Sequence, residues 1–316
     1  MISLVIPVYG VEKYIANCLK SVVNQEYKDF ELLLVNDGTK DKSVEVINNF
    51  LKDYDLNYRI INKENGGLAS ARNEGIKQAK GEYVAFLDAD DAISSDFLLN
   101  LFNSLQGKDY DFSFCNFEFT KEQVPPISDN NEFKVYSREE LMDAFLRRGI
   151  SFLVPSMFFR TSFLKDNDLY FNEKIKFSED QPFIWNVILH SKKAIYLKKK
   201  MYGYYVRENS IMTSSSSKKI QDSYLEYKDY LDILKKTFSK DMELLNMVLP
   251  RWSLGALYTA SNSCDYKSFK ELYDLVEGRK LFKQTLKIKD LNTSILGFVS
   301  FLSPRLLYLA SRSIKL

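Results

Sequence analysis

Over the first third of the chain, short apolar runs alternate with segments whose apolar residues recur at helical spacing, and this alternation constrains the fold more than any other feature. The runs at 2–6, 30–35, 58–61 and 83–87 are mostly apolar, interrupted only by Ser3, Glu31 and Arg59, as strands buried on both faces tend to be. Between them, segment 12–25 sets Ile15, Leu19, Val22 and Val23 on one helical face. A helix opened by Asp41-Lys42-Ser43 carries Val44, Ile47 and Leu51, segment 68–80 is rich in small residues, and a helix from Ser94-Ser95-Asp96 carries Phe97, Leu98, Leu101 and Phe102. Such alternation predicts an α/β fold, a mostly parallel sheet with helices on both faces. Ligands of these sheets bind beyond the carboxyl ends of the strands, so the loops after these four strands should share one crevice.

Further on, the pattern predicts a strand over 111–119, a loop through Val124-Pro125-Pro126 and Asp129-Asn130-Asn131, and a helix over 137–148. A helix over 180–190 and short strands at 195–197 and 202–206 follow. The polar run Thr213-Ser214-Ser215-Ser216-Ser217 is the candidate boundary between an α/β domain, 1–212, and a C-terminal helical region, 213–316. Hydrophobic residues make up 45% and charged residues 27%, enough for a real core, and a net charge of only +2 argues against nucleic acid as the main partner. Cys18, Cys115 and Cys264 fit no zinc or redox spacing and favour reduced thiols in a cytosolic protein. The N-terminus enters a strand with no signal-peptide pattern, and no apolar stretch reaches the ~18–20 residues that span a bilayer.

The strand-end loops carry the chemistry. Asp88-Ala89-Asp90-Asp91 crowds three carboxylates behind the fourth apolar run, where their mutual repulsion calls for a compensating cation. Hard oxygen ligands suit Mg²⁺ or Mn²⁺, often held by one or two carboxylates and the phosphates of a substrate. After the first strand, Pro7-Val8-Tyr9-Gly10 offers a backbone edge and an aromatic ring to a base. After the second, Asp37 could accept a base N–H; after the third, Gly66-Gly67 lets backbone approach a ligand and Arg72 can meet a phosphate. Each feature has a plainer reading: Asp37-Gly38 is a good turn, Gly66-Gly67 a loop, Arg72 a solvated helix residue. Their order along the chain is what favours a nucleotide site.

In these stretches the chain resembles bacterial family 2 glycosyltransferases of the GT-A fold, of the kind that build capsular and cell-surface polysaccharides. The matching segments are Val5-Ile6-Pro7-Val8-Tyr9, Val35-Asn36-Asp37-Gly38-Thr39, Asn65-Gly66-Gly67-Leu68-Ala69-Ser70-Ala71-Arg72-Asn73 and residues 81–91, with Glu179-Asp180 and Tyr204-Tyr205-Val206-Arg207-Glu208-Asn209-Ser210-Ile211 later. The resemblance spans 1–212. It implies that Pro7, Val8, Tyr9 and Asp37 line the base with Arg72 close by, that Asp88 contacts the ribose beside Ala89, and that Asp90 binds a Mn²⁺ or Mg²⁺ ion bridging the donor phosphates. Gly66 and Arg207 complete the donor-binding set it implies, with Arg207 and Ser210 closing over the diphosphate. Gly10 stands where the family often has Asn, and Asn36 where it often has a first Asp, which predicts tuned donor binding.

Asp180 is the candidate catalytic base. Similar enzymes invert the anomeric centre, one carboxylate taking the proton of the attacking acceptor hydroxyl. Asp180 opens a helix, where dipole and N–H groups favour the ionised form; the plainer reading is that Ser178-Glu179-Asp180 merely starts that helix. His190, the only histidine, reads as a helix-end cap, and neither a histidine-based triad nor a Gly-x-Ser-x-Gly elbow is present.

From Arg279 onward there are eight Lys or Arg and one acidic residue, interleaved with Ile295, Leu296, Phe298, Val299, Phe301 and Leu302, then Pro304, then Leu306, Leu307, Tyr308 and Leu309. This suits helices lying on the cytoplasmic membrane surface beside anionic lipid, with packing on the domain or a homo-oligomer interface as the alternatives. The expectation is thus an inverting, metal-dependent transferase moving a hexose-type sugar from a UDP-sugar to a hydroxyl of a lipid-linked glycan, cytoplasmic and peripheral to the inner face of the cell membrane. Two rivals stand beside it: a nucleotide-sugar nucleotidyltransferase, for which the loop after the first strand has only Gly10, and a catalytically silent partner of another transferase.

Overall fold

The computed structural model describes residues 1–151, 153–206, 216–288 and 290–313, apart from the side chains of Leu291 and Ser313. Contacts divide the chain into two units. The first comprises Met1–Leu141, Ser151–Glu173 and Phe183–Arg207; the second, Met142–Ile150, Lys174–Pro182 and Glu208–Leu316. Two short segments from the first two-thirds of the sequence therefore group with the C-terminal helices.

The elements run β1 (Ile2–Val8), α1 (Ile15–Val23), β2 (Phe30–Asn36), α2 (Ser43–Leu51), β3 (Tyr58–Asn62), α3 (Leu68–Gln78), β4 (Tyr83–Phe86), β5 (Ala92–Ile93) and α4 (Phe97–Leu105). Next come β6 (Phe112–Thr120), β7 (Phe133–Ser137), α5 (Arg138–Leu146), β8 (Met157–Arg160), α6 (Thr161–Asp166), α7 (Asp180–His190) and β9 (Lys193–Tyr205). All the strands join one sheet in the order β3-β2-β1-β4-β8-β6-β9-β5, with β7 paired to β9. The half built by the alternating pattern, β3-β2-β1-β4, is parallel. Beyond it the sheet is mixed, because β8 inserts antiparallel between β4 and β6 while β6 and β9 run parallel.

β1, β2 and β4 are largely apolar on both sides because both sides are covered. In β1, Ile2, Leu4, Ile6 and Val8 join the core with Ile15, Leu19 and Val22 of α1. Val5 points the other way, toward α3, where a Cβ on Gly75 would stand 2.2 Å from its Cγ1. A helix can approach the strand that closely only with glycine there.

β9 is one strand, where the sequence predicts two short ones around Lys198-Lys199-Lys200. The lysines read as a break. In the fold they stay extended, with Lys198 paired to Glu132, Lys199 to Asp96 and Lys200 to Glu118. β6 absorbs the mismatch by register shifts around Asn116.

In the second unit, α8 (Ser217–Thr237), α9 (Met242–Ser263), α10 (Tyr266–Leu275), α11 (Leu281–Thr285), α12 (Leu291–Leu302) and α13 (Pro304–Ser313) are the helices that follow the polar run. Its aromatic core places Trp252 against Phe177, Tyr224 and Tyr227. No helix among the described residues is long and apolar enough to cross a membrane.

Candidate active site

Parallel pairing brings the carboxyl ends of β1, β2 and β4 to one edge. Val8 lies opposite Asn36, and the chain just beyond β4 stays in register, Leu87 N donating to Val5 O at 3.0 Å. Pro7 and Val8 end β1, buried, and Tyr9 follows with 57% of its surface exposed, its ring open to a ligand. Gly10, at φ +66°, donates its N–H to Thr39 Oγ1, and Thr39 N donates to Asn36 Oδ1. The Asn36 amide in turn donates to Asn62 Oδ1 at 2.8 Å. Asn36 thus spends its polar group on joining the loops, work that an uncharged amide does well.

Asp37 is almost fully buried and accepts three hydrogen bonds. Lys63 Nζ reaches Oδ1 at 2.6 Å, Gly66 N reaches Oδ1 at 2.9 Å and Gly67 N reaches Oδ2 at 2.7 Å. The carboxylate therefore folds the glycine loop down onto the end of β2, and a base N–H would meet only its remaining lone pairs. Gly67 caps α3 at φ 89°, a backbone shape that favours glycine, and a Cβ on Gly66 would stand 2.6 Å from Ser70 Oγ.

Arg72 sits one turn into α3. It is not a solvated helix residue: it is 1% exposed. Its Nη2 donates to Asp88 at 2.9 and 3.3 Å from the two carboxylate oxygens, and its guanidinium lies 5.4 Å from the centre of the Phe171 ring. Phe171 stacks on Phe183, and the Asn73 side chain both accepts from Phe171 N and donates to Phe171 O. Charge pairing and ring packing together fix the arginine against the carboxylate that follows β4.

The carboxylates Asp88, Asp90 and Asp91 take different surroundings. Asp88 faces Arg72; Ala89 is buried between its neighbours. Asp91 is buried and bonded to the Tyr202 hydroxyl and to Tyr205 N, the latter at 2.8 Å. Burial first, then the charges of Asp88 and Asp90, push its pKa up to about 8 against the pull of those two hydrogen bonds. Asp90 is half-buried at the rim. No group of three or more His, Cys, Asp or Glu able to hold a metal is assembled among the described residues. A half-buried carboxylate such as that of Asp90 is chemically suited to hold a hard divalent ion together with substrate phosphates. Cys18, fully buried, has its thiol pushed well up by burial and by the charges of Asp91, Asp90 and Asp88, which disfavours the thiolate.

Asp180 is the first residue of α7, half-buried, and belongs to the second unit. Two residues earlier Ser178 adopts φ 55°, a left-handed conformation uncommon for serine, and its carbonyl accepts from Gln181 N at 3.1 Å. Arg207 and Ser210 lie outside the described residues. His190 Nδ1 lies 2.9 Å from Asn186 O, so it binds back onto its own helix. Lys63, Phe171, Tyr202 and Tyr205 are the residues that sequence reasoning missed as shapers of this edge. Lys63 had a signal, since it opens the glycine loop, and Tyr205 lies in the motif 204–211 that the family resemblance names; Phe171 and Tyr202 had none. A groove of about 740 Å³ elsewhere in the first unit is lined by Lys20, Ile93, Asp96, Gln123 and Pro125 among others, and by none of the Asp88–Asp91 side chains.

A parallel half-sheet whose strand ends gather an exposed tyrosine, a glycine loop fastened by a buried aspartate, an arginine-held aspartate and a half-buried aspartate has the layout of the GT-A type. Residues 3–167 match the family model for glycosyl transferase family 2, more than half of the chain, and the chain belongs to that family. It is 34% identical over 232 residues to the uncharacterized glycosyltransferase EpsJ of Bacillus subtilis strain 168, covering 72% of this chain and 67% of that one. It is 33% identical to a poly(ribitol-phosphate) beta-glucosyltransferase of Bacillus spizizenii, over 74% of this chain but 37% of that longer protein. Among solved structures, S. aureus TarS 1-349 in complex with UDP-GlcNAc superposes with a TM-score of 0.61 at 22% identity, covering 95% of this chain and 91% of that one. The mannosyltransferase PcManGT of Pyrobaculum calidifontis, in complex with GDP-Man and Mn²⁺, gives 0.57 at 16% identity, covering 95% and 86%. These likenesses show the GT-A fold, followed here by a C-terminal helical region.

Proposed function

We propose that this glycosyltransferase is inverting and metal-dependent, and moves a hexose-type sugar from a UDP-sugar to a hydroxyl of a lipid-linked surface glycan at the cytoplasmic face of the membrane. The observation that carries the reading is the pairing of buried Arg72 with Asp88, one residue from Ala89 and two from half-buried Asp90, at the edge where Tyr9 and the glycine loop also end. UDP is favoured by the UDP-GlcNAc held in the S. aureus neighbour, and a glycan acceptor by the relative that glucosylates poly(ribitol-phosphate).

In this reading Pro7, Val8 and Tyr9 flank the base, with Asp37 and Gly66 shaping the loop beneath it. Asp88, oriented by Arg72, meets the ribose beside Ala89. Asp90 would hold Mn²⁺ or Mg²⁺, which when bound supplies Lewis-acid neutralisation of charge on the departing diphosphate. Asp180 takes the proton from the acceptor hydroxyl, whose oxygen then bonds to the anomeric carbon as the bond to the diphosphate oxygen breaks with inversion. The N-terminus of α7 favours the ionised carboxylate that this role needs. Arg207 is assigned to the donor diphosphate on sequence alone.

A panel of UDP- and dTDP-sugars with Mn²⁺, read as nucleoside diphosphate release with and without EDTA, tests the reading. Release from one donor that EDTA abolishes is expected. Silence across the panel together with no shift in melting temperature on adding UDP and Mn²⁺ would overturn it, since ligand at 100 times its Kd adds about 2.7 kcal/mol to stability.

A further inference from the structure

Between Leu286 and Leu309 the second unit leaves large apolar side chains uncovered. α12 buries Leu296, Gly297 and Ser300, and a Cβ on Gly297 would stand 2.5 Å from Thr285 Oγ1, so this side of the helix is seated on α11. The other side carries Ile295, Phe298 and Leu302 at helical spacing, with Phe301 beside them, each 46–50% exposed. After Ser303 the chain turns. Ser303 Oγ accepts from Arg305 N at 3.1 Å, Pro304 opens α13, and Leu306 and Leu309 continue the apolar stripe at 51% and 54% exposure while Leu307 and Tyr308 are buried. Half-exposed side chains on this scale make a patch of several hundred Å², the size at which an exposed apolar surface marks an interaction site.

Exposed cations lie on the same stretch of chain as the patch. Phe282 of α11 packs its ring on Phe298 and Phe301, and Lys283 next to it in sequence, Lys287 and Arg305 are all exposed. The sole acidic residue after Arg279 is Asp290, and its carboxylate caps α12 by accepting from Thr293 N at 2.8 Å. We propose that the exposed faces of α12 and α13 dock onto an anionic lipid surface, the apolar side chains entering the headgroup–acyl boundary and Lys283, Lys287 and Arg305 meeting the headgroups. Charge decides between this occupant and a second copy of the chain. A two-fold contact through the patch would add the same cations from both copies, while the one side-chain carboxylate after Arg279, that of Asp290, is already taken up in capping α12. Lipid phosphates supply the missing charge. At about 1.5 Å per residue, a twelve-residue α12 covers roughly 18 Å, so these helices lie on a bilayer and do not cross it.

The inference adds a partner surface to the membrane-side acceptor proposed above, and its test needs no sugar transfer. The full chain is floated with vesicles of phosphatidylcholine alone and of phosphatidylcholine mixed with phosphatidylglycerol, at low and high salt. Flotation with the anionic vesicles, weakened by salt, is expected. A Leu302→Glu, Leu306→Glu variant, altered at two half-exposed positions, should lose at least tenfold in partitioning with unchanged melting temperature and UDP binding. Lys283→Ala, Lys287→Ala and Arg305→Ala should each cost about fivefold on anionic vesicles. Failure of the wild-type chain to float, or equal flotation of wild type and the double glutamate variant, would overturn the proposal. So would a wild-type dimer in light scattering that the glutamates convert to monomer without vesicle binding. Flotation without sugar transfer would leave this surface standing while the transferase reading fell.

Discussion

Replacing Asp37 by Asn separates two roles that the family resemblance merges. The carboxylate serves three donors: Lys63 Nζ and Gly66 N on one oxygen, Gly67 N on the other. An amide has one acceptor oxygen and one NH₂. Turned either way, its NH₂ meets a donor, Gly67 N–H in one orientation, Lys63 and Gly66 in the other. Losing a charge-assisted bond costs about 1.5–3 kcal/mol, and leaving a buried N–H unmet adds about 1–3 kcal/mol. Lys63 keeps 20% exposure and regains some hydration by turning outward, so the net loss should be about 3 kcal/mol. For a body of this size that lowers the melting temperature by roughly 6–12 °C. Lys63→Met retains both backbone bonds to Asp37 and should cost less. The assay is thermal melting beside UDP titration of the same preparations; both should worsen in D37N, because the loop it holds also carries Gly66. If D37N melted within about 2 °C of wild type while UDP binding vanished, the carboxylate would act on the nucleotide and not as the fastener of the glycine loop.

Asp180→Asn should leave UDP binding and melting intact while turnover falls by about 10²–10⁴, the range of general base catalysis; near-normal turnover would remove Asp180 from the role. Two glycine substitutions should act with opposite sign in the same melting assay. Gly75→Ala puts a Cβ 2.2 Å from Val5 Cγ1, an overpacking worth about 1–3 kcal/mol that outweighs the ~1 kcal/mol gained in helix propensity. It should also weaken UDP binding by shifting Arg72 on the same helix. Gly255→Ala, in α9 with nothing within 4 Å of the added Cβ, should raise stability by about 1 kcal/mol; destabilisation there would contradict the packing described for that helix.

The site divides between what local sequence can express and what it cannot. Asp37, Gly66, Arg72, Asp88 and Asp90 stand out because each follows a strand whose period is readable within a few residues, and a parallel sheet then delivers every strand end to the same edge. What each side chain does there was less legible. The sequence leaves Arg72 with a phosphate to meet or water to face; the fold pairs it with Asp88 over Phe171, 99 positions further along. Asp37 offers a base partner in sequence and a loop fastener in structure.

The strand and helix periods of the first third, the helix at Asp180–His190 and the helices from Ser217 onward were determined by the sequence itself, since apolar spacing is a property of neighbouring residues. Tertiary structure decided the insertion of β8 antiparallel beside β4, the unbroken run of β9 through three lysines, and the bonding of Asp91 to Tyr202 and Tyr205, 111 and 114 positions away. It also decided that Ile295, Phe298, Leu306 and Leu309 stay about half exposed while Leu296, Leu307 and Tyr308 are buried. These outcomes depend on which distant surface meets which, and periodicity within a segment carries no record of the partner it will find.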